Sequence, residues 1–197
     1  MIIGLTGSIA TGKSQSSKIF KQLGCYIIDA DKISRTLTAK DGKCLKEIVE
    51  AFGTDVLTNN GTLNRKKLGS IVFNDKQAKI ELERIIHPHI IRKTNEIIAK
   101  KYNVSDIIVD APLLFEVGLD RICDKVIVIY AKYHLQLLRL MKRDKLSKEE
   151  ATKRIALQMP IEDKMKLADI TIDNSGTIAE LKRNIKFIYK KLKNMNL

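Results

Sequence analysis

Short runs rich in isoleucine and valine alternate along the chain with longer stretches whose apolar positions return every three or four residues. The apolar runs predict strands at residues 2–6, 26–28, 106–110, 125–130 and 170–172. Several are apolar at nearly every position, as expected of strands covered on both faces, so the alternation reads as α/β with a mainly parallel sheet. A first helix is expected over residues 13–23, with Ile19, Phe20 and Leu23 as its buried stripe and Gly24 as a left-handed stop. Residues 32–102 show no strand signal and read as helical apart from a loop near residues 59–61, which predicts an inserted helical subdomain. A second insertion is expected at residues 133–160 as a helix pair. Ser147 and Glu150 form a capping box that opens its second helix, and Pro160 is expected to end that helix. The last helix would bury Ile185, Ile188 and Leu192 and turn the lysines of residues 182–193 to water.

The most informative local sequence is Gly7-Ser8-Ile9-Ala10-Thr11-Gly12-Lys13-Ser14, which satisfies GxxxxGK[ST] between a predicted strand and a predicted helix. Gly7 and Gly12 permit a backbone path that points amides at phosphate oxygens, and the following helix adds its positive end. Lys13 is expected to reach the β and γ phosphates, and the Ser14 hydroxyl to ligate Mg²⁺. Asp110, at the end of an apolar strand, either assists that metal through water or ends the strand in a structural turn. Asp29 and Asp31 follow the second strand, where carboxyl ends of a parallel sheet border the ligand crevice. A spacing of two would put both on one side if strand geometry continued, one orienting an acceptor hydroxyl and the other assisting Mg²⁺; the alternative for Asp31 is a helix N-cap. Arg139 and Arg143, four apart on one helix, and Arg154 on the next are candidates to screen the charge of a transferring phosphoryl group, or else belong to a solvated face.

Composition narrows the class. The chain of 197 residues is long enough for one domain with insertions. No apolar run approaches bilayer-spanning length and residues 1–5 lack the flanks of a signal peptide, so a cytoplasmic protein without membrane contact is expected. Cys25, Cys44 and Cys123 contain no CxxC pair and read as reduced, buried thiols. The formal net charge is +13, but it comes from 27 lysines against 9 arginines, with 5% aromatics and no tryptophan. Nucleic-acid binding is therefore not expected, because its readers lean on arginine and stacking aromatics. The NKxD guanine signature is missing, and a DxxG match at residues 173–176 follows the last strand, the wrong place for a γ-phosphate switch. A small ATP-dependent phosphotransferase remains.

The ordered set Gly4-Leu5-Thr6-Gly7 with the phosphate loop, Asp29-Ala30-Asp31, Gly61-Thr62-Leu63-Asn64-Arg65, His87-Pro88, Pro112-Leu113-Leu114-Phe115-Glu116, Arg139-Leu140 with Arg143, Arg154-Ile155 with Gln158, Ala168-Asp169 and Asn174 resembles the dephospho-CoA kinase family nearly end to end. The resemblance implies a P-loop NTPase of three layers, α/β/α, on a five-stranded parallel sheet. Its core would be residues 1–31, 103–132 and 161–197, with a helical CoA-binding subdomain at about 32–102 and a helical lid at about 133–160. It implies transfer of the γ-phosphoryl of ATP to the 3′-hydroxyl of dephospho-CoA with Mg²⁺, by a monomer or weak oligomer; the alternative is another small nucleoside or nucleotide kinase of this fold. It assigns Asp31, Lys13 and Arg143 to catalysis. ATP would be bound by Gly7, Ala10, Thr11, Gly12, Lys13, Ser14, Gln15, Arg139, Arg143 and Asn174, the last near adenine. The acceptor would be bound by Thr6, Asp31, Arg65, His87, Pro112, Leu113, Leu114 and Glu116. Three of these have structural readings as well: His87 as part of a helix start, Arg65 as the partner of a local acid, and residues 112–116 as packing at the sheet edge. The loop departs from the family pattern at Ser8 and Ala10, where glycines are usual, and at Gln15, where serine or threonine is usual. Ala10 must then adopt a backbone tolerable to a Cβ.

Overall fold

A computed structural model describes residues 1–195, in two compact units: Met1–Ile28 with the chain from Lys101 onward, and Asp29–Lys100. The first unit is built on a parallel sheet of five strands in the order β2-β3-β1-β4-β5. These are β1 (Ile2–Gly7), β2 (Tyr26–Asp29), β3 (Ile107–Asp110), β4 (Lys125–Tyr130) and β5 (Ile170–Asp173). In register, Leu5 of β1 lies opposite Asp110 of β3 and Gly7 lies opposite Ile129 of β4. The loop that leaves β1 therefore starts beside the ends of its two neighbours.

Alternation along the strands sorts the core into two faces. Ile3, Leu5, Ile108, Ile127, Ile129 and Ile172 meet α1 (Lys13–Gln22) through Ile19 and Phe20, and α10 (Ile178–Met195) through Leu181, Ile185 and Leu192. On the opposite face Leu114, in the short helix α6 (Leu114–Val117), packs over Gly4; a Cβ on Gly4 would come within 2.8 Å of the Leu114 side chain. Helices α7 (Tyr133–Asp144), α8 (Lys148–Ala156) and α9 (Ile161–Leu167) complete this unit. The Ser147–Glu150 capping box forms, and Gly24 takes φ 91° after α1. Pro160 departs from expectation: α8 has already ended at Ala156, and Pro160 is the N-cap of α9, a position that needs no N–H.

The second unit holds α2 (Ala30–Leu37), α3 (Lys43–Phe52), α4 (Arg65–Asn74) and α5 (Lys76–Lys101), with a single 3₁₀ turn at Thr54–Val56. Its buried side chains include Ile33, Leu37, Ile48, Val56, Leu68 and Ile90. The segment expected to lack strand pairing has one antiparallel bridge, Leu57 with Leu63, which closes the loop around Gly61. Pro88 sits inside α5 rather than at a helix start, so the helix-start reading of His87-Pro88 is corrected.

Candidate active site

The loop after β1 closes on itself before it enters α1. Thr11 donates from its hydroxyl to the Ser8 carbonyl at 2.8 Å, and the Thr11 amide points to the same oxygen at 3.3 Å. The chain then needs two left-handed residues, Ala10 at φ 62° and Gly12 at φ 101°. Gly12 suits this conformation, and a Cβ there would also collide with the Asn174 amide packed on it. Ala10 carries its Cβ into the left-handed region at a cost of roughly 1–2 kcal/mol. The result is a turn in which the amides of Ala10, Gly12, Lys13 and Ser14 find no acceptor among the described residues. With the start of α1 behind them, they form an anion cradle.

Lys13 and Asp110 form an ion pair across the mouth of this cradle, with side chains only 14% and 10% exposed. Ser14 is exposed at the first turn of α1, and Gln15 beside it is half-buried. A serine hydroxyl and a carboxylate next to phosphate oxygens make the hard oxygen set that suits Mg²⁺. Among the described residues no group of three or more His, Cys, Asp or Glu side chains could hold a metal ion.

Asn174, expected near adenine, is buried, and its side-chain amide donates to the Thr11 carbonyl at 2.8 Å. Its amide therefore braces the loop. The Asn174 carbonyl in turn accepts from Arg139 at 2.9 Å, which fixes that guanidinium beside the loop. Arg143 and Arg154 lie farther out and share one acid: Arg143 donates to Asp144 at 2.7 and 3.1 Å, and Arg154 at 2.9 Å. The hydrogen bond from Arg143, with the charge of both arginines, holds the Asp144 carboxyl below its usual range. Arg139 and Arg143 both lie on α7, four residues apart as the sequence spacing expects, but they have different partners. One is fixed near the loop and one is paired at the end of α7.

The segment after β3 behaves as a brace. The Pro112 carbonyl accepts from the buried Thr6 hydroxyl at 3.1 Å and from the Lys164 ammonium at 2.5 Å. Lys164 also lies 3.0 Å from Glu116 Oε1. Leu114 is fully buried in the core and Leu113 is exposed. Leu114 takes the packing alternative considered for residues 112–116, since it packs over Gly4. Thr6 and Glu116 have partners inside the fold, the Pro112 carbonyl and a buried lysine. Lys164 itself escaped the sequence reading. Its signal was a lysine in the apolar register of α9, three residues after Ile161 and four before Ala168.

Gln136 also went unnoticed, and Gln158 was noted without a role. Gln136, buried on α7, donates to the Ser8 hydroxyl at 3.0 Å and to the Ile9 carbonyl at 2.8 Å. Gln158 accepts from the Ser8 hydroxyl at 2.9 Å and from the Ile9 amide at 2.7 Å.

The remaining candidates belong to the second unit. Asp29 is the N-cap of α2 and accepts from the Lys32 amide at 2.9 Å, so the capping role considered for Asp31 falls to its neighbour. Strand geometry ends at Asp29, and Asp31 is exposed in the first turn of α2, so the two carboxylates do not share a strand face. Arg65 donates to the Thr38 hydroxyl at 2.6 Å and to the Arg35 carbonyl at 3.3 Å, and its expected local acid is replaced by these neutral acceptors. His87 is half-buried on α5.

Comparison with known proteins agrees with this architecture. The family model described as dephospho-CoA kinase matches residues 1–180. A dephospho-CoA kinase from Bacillus anthracis is 45% identical over 194 residues, covering 97% of this chain and 96% of that one. Among solved structures, dephospho-CoA kinase from Campylobacter jejuni is 37% identical with a TM-score of 0.72, covering 100% of this chain and 98% of the other. TT1252 from Thermus thermophilus has a TM-score of 0.83 at 29% identity, covering 98% and 97%.

Proposed function

The chain belongs to the dephospho-CoA kinase family, and we propose a division of labour among its residues for the reaction it performs, transfer of the ATP γ-phosphoryl to dephospho-CoA in the last step of coenzyme A biosynthesis. The observation that carries the reading is the cradle of unpartnered amides over the Lys13–Asp110 pair. Such a cradle is made for the β and γ phosphates of a nucleotide.

In this reading the amides of residues 10 and 12–14 hold the triphosphate, and Lys13 leaves Asp110 to meet the γ-phosphate. Ser14 and Asp110 would hold Mg²⁺ together with the phosphates, where it would supply positive charge to offset that of the transferring group. Asp31 accepts the proton of the ribose 3′-hydroxyl, whose oxygen bonds to phosphorus as the bond to the ADP oxygen breaks. Arg139, fixed by the Asn174 carbonyl, screens the equatorial oxygens. Arg143 joins it by exchanging Asp144 for phosphate. Residues 133–160 act as a lid, and about 32–102 bind the CoA moiety with Arg65 and His87. Nearer the loop, Leu113 and the Pro112 turn border the acceptor. Residues 1–31, 103–132 and 161–197 form the nucleotide-binding core. The enzyme works in the cytoplasm as a monomer or weak oligomer, apart from nucleic acid and membranes; no helix among the described residues is long and apolar enough to cross a bilayer.

Incubation with Mg·ATP and dephospho-CoA tests this by yielding ADP and CoA in equal amounts. A well-folded preparation that turns over another nucleoside or nucleotide acceptor and leaves dephospho-CoA untouched would overturn the acceptor assignment.

A further inference from the structure

Two glutamines from different parts of the chain grip two successive residues of the phosphate loop. Gln136 rises from the buried face of α7, and both of its hydrogen bonds run from one side-chain nitrogen, to the Ser8 hydroxyl and the Ile9 carbonyl. Gln158, just past α8, supplies one side-chain oxygen to the Ser8 hydroxyl and the Ile9 amide. Ser8 is the hub, because its hydroxyl accepts from one glutamine and donates to the other. The apolar side chains repeat the attachment. Ile9 and Ala10 pack against a cluster of Leu137, Leu140 and Ala151, with Met141 and Ile155 beside them.

This attachment explains how a strained loop persists. Ala10 holds φ 62°, a left-handed conformation that a residue with a Cβ enters only when its surroundings over-determine it. The residues immediately before it are pinned by four hydrogen bonds, and its own methyl is held in the cluster. The amides that follow are then aimed before a nucleotide arrives. The Ile9 amide, by contrast, is removed from the phosphate-binding set, since Gln158 occupies it.

We infer that Gln136 and Gln158 are positioning residues of the phosphate loop, acting through Ser8 and Ile9, and that they set its affinity for the nucleotide's terminal phosphates. The inference rests on residues 7–14 being the nucleotide phosphate loop, and it is independent of the acceptor. Serine at position 8 is what allows both glutamines to converge on one hydroxyl. The same contacts join the α7–α8 pair to the loop, so displacement of that pair by a ligand is felt at the phosphates.

Calorimetric titration of Mg·ADP into the full chain tests this without any acceptor. Gln136→Met and Gln158→Met keep side-chain length and remove the hydrogen bonds; each is expected to weaken Mg·ADP about fivefold or more, the equivalent of one net hydrogen bond. Ser8→Ala, which removes only a hydroxyl, is expected to weaken binding about twofold to fivefold in the parent and by a smaller factor in the Gln158→Met background, where the Gln158 contact is already gone and only the Gln136 bond to Ser8 is left to lose. Binding within twofold of the parent in both methionine variants, with only the melting temperature lowered, would reduce the glutamines to props for the helix pair. Equal effects of Ser8→Ala in both backgrounds would also overturn the proposal. If either methionine variant fails to fold, the titration of Ser8→Ala alone decides, and unchanged affinity defeats the idea. Failure of dephospho-CoA as acceptor, with Mg·ADP weakened as expected, would refute the reaction assignment and leave this inference standing.

Discussion

Lys164 Nζ lies 3.0 Å from Glu116 Oε1, and the lysine side chain is wholly buried while the glutamate is 21% exposed. Neither Glu116 oxygen makes a well-directed hydrogen bond, although one lies in ion-pair range. Two desolvated charges thus depend on each other and on the Pro112 carbonyl. Lys164→Met, which strands the carboxylate, is expected to destabilise the fold by about 3 kcal/mol. The double variant Lys164→Met with Glu116→Leu is expected to recover most of that loss, since a well-packed apolar pair often matches a buried ion pair. Urea unfolding of the parent and the two variants measures both numbers. A double variant no more stable than Lys164→Met alone would show that the pair is not the unit that matters.

The Lys13–Asp110 pair gives the second expectation. Lys13→Ala removes the ammonium paired to Asp110 and is expected to lower kcat by roughly 100-fold or more and to weaken ATP, consistent with the worth of a preorganised cation at a transferring phosphoryl group. Asp110→Asn keeps the shape but removes the charge, and it is expected to raise the Mg²⁺ concentration needed for half-maximal velocity by about fivefold or more. Velocity measured against Mg²⁺ at saturating ATP distinguishes the roles. An unchanged Mg²⁺ requirement would confine Asp110 to holding Lys13.

Local rules with a short reach made the sheet and the phosphate loop legible. Apolar runs placed each of the five strands to within a residue at either end, and the glycine spacing around Lys13 identified the cradle. What stayed hidden needed three-dimensional partners. Nothing near Asn174 in sequence signals that its amide would seat on Gly12, 162 positions away, or that Gln136 would find Ser8. Leu114 and Glu116 lie two residues apart in a telling motif, yet one packs over a glycine and the other meets a lysine from α9. For Asp29 and Asp31 the condition of continued strand geometry fails. The strand yields to a helix between them, and period-two alternation stops at that boundary.

Asp31→Asn tests the acceptor side. The substitution keeps the first turn of α2, because the cap is Asp29. If Asp31 takes the hydroxyl proton, kcat falls by roughly 100-fold or more while Mg·ADP affinity stays within about twofold. Asp29→Asn, which can still cap, is expected to leave kcat within about threefold. Steady-state rates with both variants make the comparison, and a normal rate for Asp31→Asn removes it from the chemistry.

A final expectation concerns pH and stability away from the site. Burial opposes ionisation of Asp106, but the Tyr189 hydroxyl donates to it at 2.6 Å and the Met1 amine and Lys193 lie at 3.1 and 3.8 Å; the balance holds its carboxyl below the usual range. A carboxyl that is more acidic in the folded chain than in the unfolded one stabilises the fold at and above neutral pH. That contribution is lost as pH falls through the unfolded and then the folded value. Asp106→Asn is therefore expected to cost about 2 kcal/mol at neutral pH, the worth of hydrogen bonds to a charged group. The gap between variant and parent should narrow as pH falls below the usual aspartate range, because the carboxyl of the unfolded chain takes up its proton first. Urea unfolding at pH 7, 5 and 3 reads the gap directly. A difference that stays constant across that range would mean that shape, not charge, is what position 106 contributes.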